Sequence, residues 1–274
     1  MEKKIEISKR RKLLASIMIL VITFPISIVQ AADDANNKEV GVEWVWNYAS
    51  CGIGSVSNTG TDAQGFYNAL GNIGWTRVFN WGNGNAWESD FEKAAVGGSD
   101  NFYADAVDFA YFAGHGSPSA FYFGTPHDGD GAWTCRVHTS EASWGETDLE
   151  WLVLKACQTL QFSDWGVFDR WRPAFQGLHQ ILGYDTIAYD TTNTGSTFVK
   201  HMTGYWTGFW FWQTWHPPKQ IKNAWWQANI DTQPSDVWSA TLSTCDSWND
   251  YLPGYGSVSS DASSSCMIWQ RIQS

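Results

Sequence analysis

Positive charge is scarce in this 274-residue chain. Seventeen Lys and Arg stand against twenty-eight Asp and Glu, a formal charge of -11. Six of the basic residues but only two of the acids lie in residues 1–31, so the remainder carries -15. No basic patch interrupts that surface. It repels nucleic acid and anionic lipid, which excludes a nucleic-acid partner and leaves a neutral polymer or a cationic partner as the better fit. Long apolar runs are also missing after the first thirty-one residues. The richest, "TGYWTGFWFWQTW", is short and broken by glycines, so no membrane association is expected once the leader is gone. No glycine run precedes Lys-Ser/Thr, and no His/Cys/Asp spacing resembles a zinc site. "HDGDG", with His127, Asp128 and Asp130, lacks the spacing and closing glutamate of an EF-hand. The expectation is therefore no metal and no cofactor.

The one long apolar run present is at the start. "MEKKIEISKRRKLLASIMILVITFPISIVQAAD" has a basic segment at Lys9–Lys12, an apolar stretch from Leu13, and small residues near Ala31. It reads as a signal peptide over 1–31 and places the protein outside the cell. With no repeat and no interior linker, residues 32–274 read as a single domain.

Cysteine is sparse and odd in number: Cys51, Cys135, Cys157, Cys245 and Cys266. In an oxidising compartment four can form two disulfides in three ways, and one is left as a candidate thiol. Cys245 with Cys266 is the expected pair, closing an irregular Gly/Ser-rich C-terminal segment. Only Cys157 ends a strongly patterned strand.

Strand and helix signals alternate. "VEWVWNYA" predicts a strand with Val42, Trp44 and Trp46 on one face, and "TDAQGFYNALGNI" a helix burying Phe66, Leu70 and Ile73. "WTRVFNWG" is a second strand and "AWESDFEKAAVG" a short helix. "AVDFAYFAG" and "LEWLVLKA" are nearly all apolar, as strands buried on both faces of a parallel sheet must be. Between them, residues 117–147 read as a long insertion. "WGVFDRWRPAFQGL" predicts a helix, "QILGYDTIA" a fifth strand, and "TGSTFVKHMTGYW" and "PKQIKNAWWQANI" two further helices. The pattern specifies an α/β fold, a three-layer sandwich with a mostly parallel sheet, and ligands sit at the carboxyl ends of such strands.

His115 in "YFAGHGSP" and Cys157 in "LVLKACQTL" occupy those ends. A thiol with an imidazole beside it is what cysteine nucleophilic catalysis needs. Gly114 and Gly116 let the backbone turn around the histidine, and the Gly116 and Cys157 amides can converge on an oxyanion. An apolar run ending in His-Gly, followed some tens of residues later by one ending in Ala-Cys, resembles the caspase-like cysteine peptidases, which include caspases, gingipains and legumain. The resemblance covers roughly residues 42–230. It implies a caspase-haemoglobinase-like fold, with His115 and Cys157 catalytic after adjacent strands and a peptide or protein as substrate. Many relatives carry a glycine two or three residues after the cysteine, where this chain has Thr159 and Leu160.

Two functions compete. One is a secreted cysteine hydrolase, a peptidase, working through His115 and Cys157. The other is a non-catalytic binding or structural protein on a degenerate peptidase fold, holding a glycan or protein on its aromatic surface. Nineteen Trp, ten Tyr and fifteen Phe exceed the needs of one core, and Trp206, Trp210 and Trp212 are candidate groove residues. His127 and His138 flank a solvated turn, whereas His179, His201 and His216 read as hydrogen-bonded structural residues.

Overall fold

In the computed structural model, residues 36–127, 135–163, 166–261 and 263–274 are described. The signal segment, Asp128 and Asp130 lie outside the described residues. Strands β1 (Glu39–Trp44), β2 (Thr76–Gly82), β3 (Phe109–Ala113), β7 (Trp151–Lys155) and β8 (Gln180–Tyr184) are the five parallel strands expected. They join β11 (Trp238–Thr244) and β12 (Met267–Gln273) in one seven-stranded sheet of order β12-β11-β8-β7-β3-β1-β2. Both late strands run antiparallel to their neighbours. The C-terminal segment expected to be irregular thus completes one edge of the sheet, and Cys245–Cys266 closes the loop between its strands.

The sheet is buried because its strands are apolar on alternate faces. Tyr111, Val153 and Leu182 point one way, toward α1 (Thr59–Asn72), α3 (Thr194–Thr203) and α4 (Ile221–Thr232). Those helices return Phe66, Leu70, Phe198, Met202, Ile221 and Trp225 to the same core. Phe112, Leu154, Ile181 and Leu242 point the other way. There the cover is a short α2 (Gly166–Trp171) and a small antiparallel sheet of β4 (Gly116–Ser117), β5 (Ala120–Tyr122) and β6 (Arg136–His138). The architecture is an α/β sandwich, with its second covering layer only partly helical.

Two expected helices are corrected. Residues 86–97 form separate 3₁₀ turns, Glu88–Asp90 and Ala94–Val96. The buried Glu43 carboxylate accepts the Trp87 N–H at 3.2 Å, and Glu88, Asp90 and Glu92 are themselves buried where an amphipathic surface helix would expose them. The predicted 165–178 helix ends at Trp171, because Pro173 cannot continue it and a 3₁₀ turn takes over at Arg172–Ala174. Trp46, grouped with Val42 and Trp44, lies beyond the end of β1 and is exposed.

Candidate active site

Two strands adjacent in the sheet deliver His115 and Cys157. β3 pairs with β7 in parallel, with Ala113 opposite Lys155. The Gly114 N–H donates to the Lys155 carbonyl at 3.2 Å and extends the pairing by one step. Each candidate residue follows its strand's last residue by two positions, so both leave the sheet at the same level. Gly116 permits the approach, since a Cβ there would lie 2.7 Å from both Ala156 Cβ and the Cys157 carbonyl oxygen. A Cβ on Gly114 would lie 2.4 Å from the Tyr48 hydroxyl. Both side chains line one cavity of about 230 Å³, with Lys155, Ala188 and Asp190 among its walls. The wall is closed by the segment after β8 and the start of α1. The 117–147 insertion contributes no described lining residue, and its small sheet packs on the core of the other face.

The loop after β1 holds the histidine from two sides. The Tyr48 hydroxyl accepts the His115 backbone N–H at 2.8 Å, and its ring packs against the imidazole with centroids 4.7 Å apart. Burial pushes the Tyr48 phenol above its ordinary range, so it stays protonated. On the far side, His115 Nε2 lies 2.7 Å from the Gly54 carbonyl oxygen. A carbonyl can only accept, so Nε2 carries the proton, and in the neutral ring Nδ1 is the free base. The disulfide Cys51–Cys135 ties this loop to the residue preceding β6.

Cys157 is the free cysteine. Its Sγ accepts the Ala188 N–H at 3.4 Å and faces the Ala188 carbonyl at 3.6 Å. No hydrogen bond joins the sulfur to the His115 ring. Gln158, immediately after the thiol, has φ 60°, a conformation that costs a residue with a Cβ and concentrates at functional sites. Beneath the cavity, Lys155 Nζ forms a buried ion pair with Asp62 at 3.3 Å and donates to the Thr191 carbonyl at 3.0 Å. Asp62 also accepts the Tyr111 hydroxyl and the Gly195 N–H. Asp190 accepts the N–H groups of Ser57 and Asn58, both at 2.6 Å, and so fixes the entry to α1 beside the cavity.

The remaining candidate residues lie elsewhere. Trp206, Trp210 and Trp212 are exposed on a hairpin formed by β9 (Tyr205–Thr207) and β10 (Thr214–His216), outside the cavity wall. The hairpin forms its own two-stranded sheet. His179 bonds Asp250 at 2.7 Å and His201 bonds Asp231 at 2.7 Å. His216 bonds Thr207 and stacks on Tyr205, His138 bonds Ser140, and His127 stacks on Trp87. At the opposite end of the sheet, Glu39, Asp108 and Asp148 bring one oxygen each within 4.8 Å of one another. They could offer three ligands to one cation, and burial pushes Asp108 up to about 8. No sequence spacing signalled this group, because three separate segments supply it. Tyr48 and Gly54 were missed for the same reason.

The model of a family described as "Domain of unknown function (DUF6345)" matches residues 42–274. No curated protein matches the chain. Among solved structures, it is similar to the crystal structure of the Arg-specific cysteine proteinase gingipain R, at 12% sequence identity and a TM-score of 0.35. That match covers 64% of this chain, which spans 38% of the gingipain's length. At that distance the likeness carries no argument about chemistry. Among the described residues, no helix is long and apolar enough to cross a membrane.

Proposed function

We propose that this chain, which belongs to the family described as Domain of unknown function (DUF6345), is a cysteine hydrolase acting outside the cytoplasm on a peptide or amide bond. One observation carries the reading: His115 and Cys157 leave adjacent parallel strands at the same level and open onto one cavity, with His115 Nε2 engaged by Gly54. That engagement leaves Nδ1 to act as the base. The two strand-end motifs also favour naming the sandwich caspase-haemoglobinase-like. Two disulfides beside a free thiol support an oxidising compartment.

In the reaction, His115 Nδ1 takes the Cys157 thiol proton as the sulfur attacks the carbonyl carbon, forming a C–S bond. The carbonyl electron pair moves to oxygen, where the Gly116 and Cys157 N–H groups stabilise it. Collapse breaks the C–N bond, and the imidazolium protonates the departing amine. Water then attacks the thioester while His115 accepts its proton, releasing the acid and restoring the thiol. The sulfur must exchange its Ala188 contacts for the imidazole before it attacks.

A second reading rests on those same Ala188 contacts: with no bond to His115, the thiol is a satisfied structural group and the protein a binding module. Screening a peptide library with the purified protein separates the two. The hydrolase reading expects turnover that disappears in both Cys157→Ala and His115→Ala. Turnover that survives in Cys157→Ala refutes it, and ligand binding without turnover, unchanged in that variant, assigns the module.

A further inference from the structure

The β9–β10 hairpin stands apart from the core. Phe209, Trp210, Phe211 and Trp212 at its tip are 76%, 69%, 89% and 87% exposed, and Trp206 below them is 62% exposed. None belongs to either core cluster. Their ring contacts are with one another: Phe209 with Trp210, Trp210 with Phe211, and Trp206 with Trp215. A tight turn sets the shape, with Gly208 at φ 94° and the Trp212 N–H donating to the Phe209 carbonyl at 3.1 Å. A stable core gains nothing from rings held in water, and contiguous exposed apolar surface marks an interaction site.

Three features identify the partner. The tip rings are 69–89% exposed and line none of the described cavities, so they suit a soft apolar phase better than an enclosed ligand. Residues 208–212, "GFWFW", carry no hydroxyl, amide or charged side chain, which leaves only the indole N–H groups for a glycan to recognise. The charge around the hairpin is opposite to that of the molecule. From 200 to 222 there is no Asp or Glu in a chain of net charge -11. Lys200 is exposed and sits over the Tyr205 ring at 4.0 Å, while Lys219 and His216 flank the base. The adjacent Asp231 is already engaged by His201 and Gln227. Indole and phenol rings favour the bilayer interface, with basic side chains at headgroup level.

We infer that the β9–β10 hairpin is a membrane-interface anchor: its aromatic tip enters the headgroup–acyl boundary of an anionic bilayer while Lys200, Lys219 and His216 meet the headgroups. The sequence reading that excluded membranes rested on net charge and the lack of a second span. A surface-bound hairpin requires neither, since only the local charge lies within screening distance of the lipid. The inference stands independently of whether Cys157 is catalytic.

Flotation of the full chain with phosphatidylcholine vesicles, with and without phosphatidylglycerol, tests it. The protein should float with the anionic vesicles, and added salt should weaken the association. Replacing Phe209, Trp210, Phe211 and Trp212 together by Ser should cut partitioning by on the order of a hundredfold. Its melting temperature should stay unchanged, because the tip rings pack on nothing else. K200E/K219E should erase the preference for anionic vesicles. Failure of the wild type to float with either vesicle, or equal flotation of the tip variant, would overturn the inference. So would retention on an immobilised polysaccharide, or a tip-dependent dimer, in the absence of vesicle binding.

Discussion

Replacing both Cys51 and Cys135 by Ala removes a cross-link spanning 84 residues, whereas Cys245–Cys266 spans 21. Loop-closure entropy in the unfolded chain makes the first worth about 4.6 kcal/mol and the second about 3.3 kcal/mol. The longer loop also matters locally, because it anchors the segment carrying Tyr48 and Gly54, which hold the two sides of His115. C51A/C135A should therefore lose more stability than C245A/C266A in denaturant unfolding, by about 1.3 kcal/mol. It should also lose Cys157 reactivity under conditions where it is still folded, while C245A/C266A keeps it. A C245A/C266A variant that is the less stable of the two would refute the entropic ordering. Undiminished thiol reactivity in folded C51A/C135A would show that the loop does not position the histidine.

Burial raises Asp90, Asp100, Asp105 and Asp108 to about 6, 7, 7 and 8. Each binds its proton more tightly folded than unfolded, so the stabilisation is complete below the ordinary Asp value of 3.8 and is lost as pH rises through 6–8. Melting temperature should accordingly increase from pH 8 to pH 5, and Asp100→Asn should flatten that slope; a rise in the opposite direction contradicts the burial argument. Gly116→Ala would force a methyl group to within 2.7 Å of Ala156 and Cys157. It should cost about 1–3 kcal/mol in denaturant unfolding and abolish turnover. Lys155→Met leaves Asp62 as a buried uncompensated charge and should cost about 3–5 kcal/mol, measured the same way.

The parallel half of the sheet was legible because "DFAYFAG" and "LEWLVLKA" have no polar face to present to solvent. From their ends alone, His115 and Cys157 could be placed at one level. The β11 strand was not legible for a related reason. In "WSATLST", Ser239, Thr241 and Ser243 look solvent-facing, yet all are buried, with the one Ser243 O–H shared between the His179 and Thr244 carbonyls. Ser239 reaches the Ile272 carbonyl across 33 positions, and a buried polar residue of that kind looks like a loop residue in sequence. Residues 83–106 misled in the opposite direction: "AWESDFEKAAVG" has helical spacing, but Glu88, Asp90 and Glu92 are buried against neighbouring segments. Tyr48 and Gly54 reach His115 across 67 and 61 positions, and no local pattern encodes a contact of that range. The Cys245–Cys266 pair was legible from proximity; the partner of Cys51 emerged only once Cys157 proved free.

The central claim is that His115 activates Cys157, and the rate of alkylation of that one thiol measures it directly. In native protein with both disulfides intact, iodoacetamide should label Cys157 faster than it labels glutathione at neutral pH. In His115→Ala, labelling should fall to the glutathione rate or below. A wild-type rate no greater than that of glutathione, or one unchanged by His115→Ala, would contradict the account.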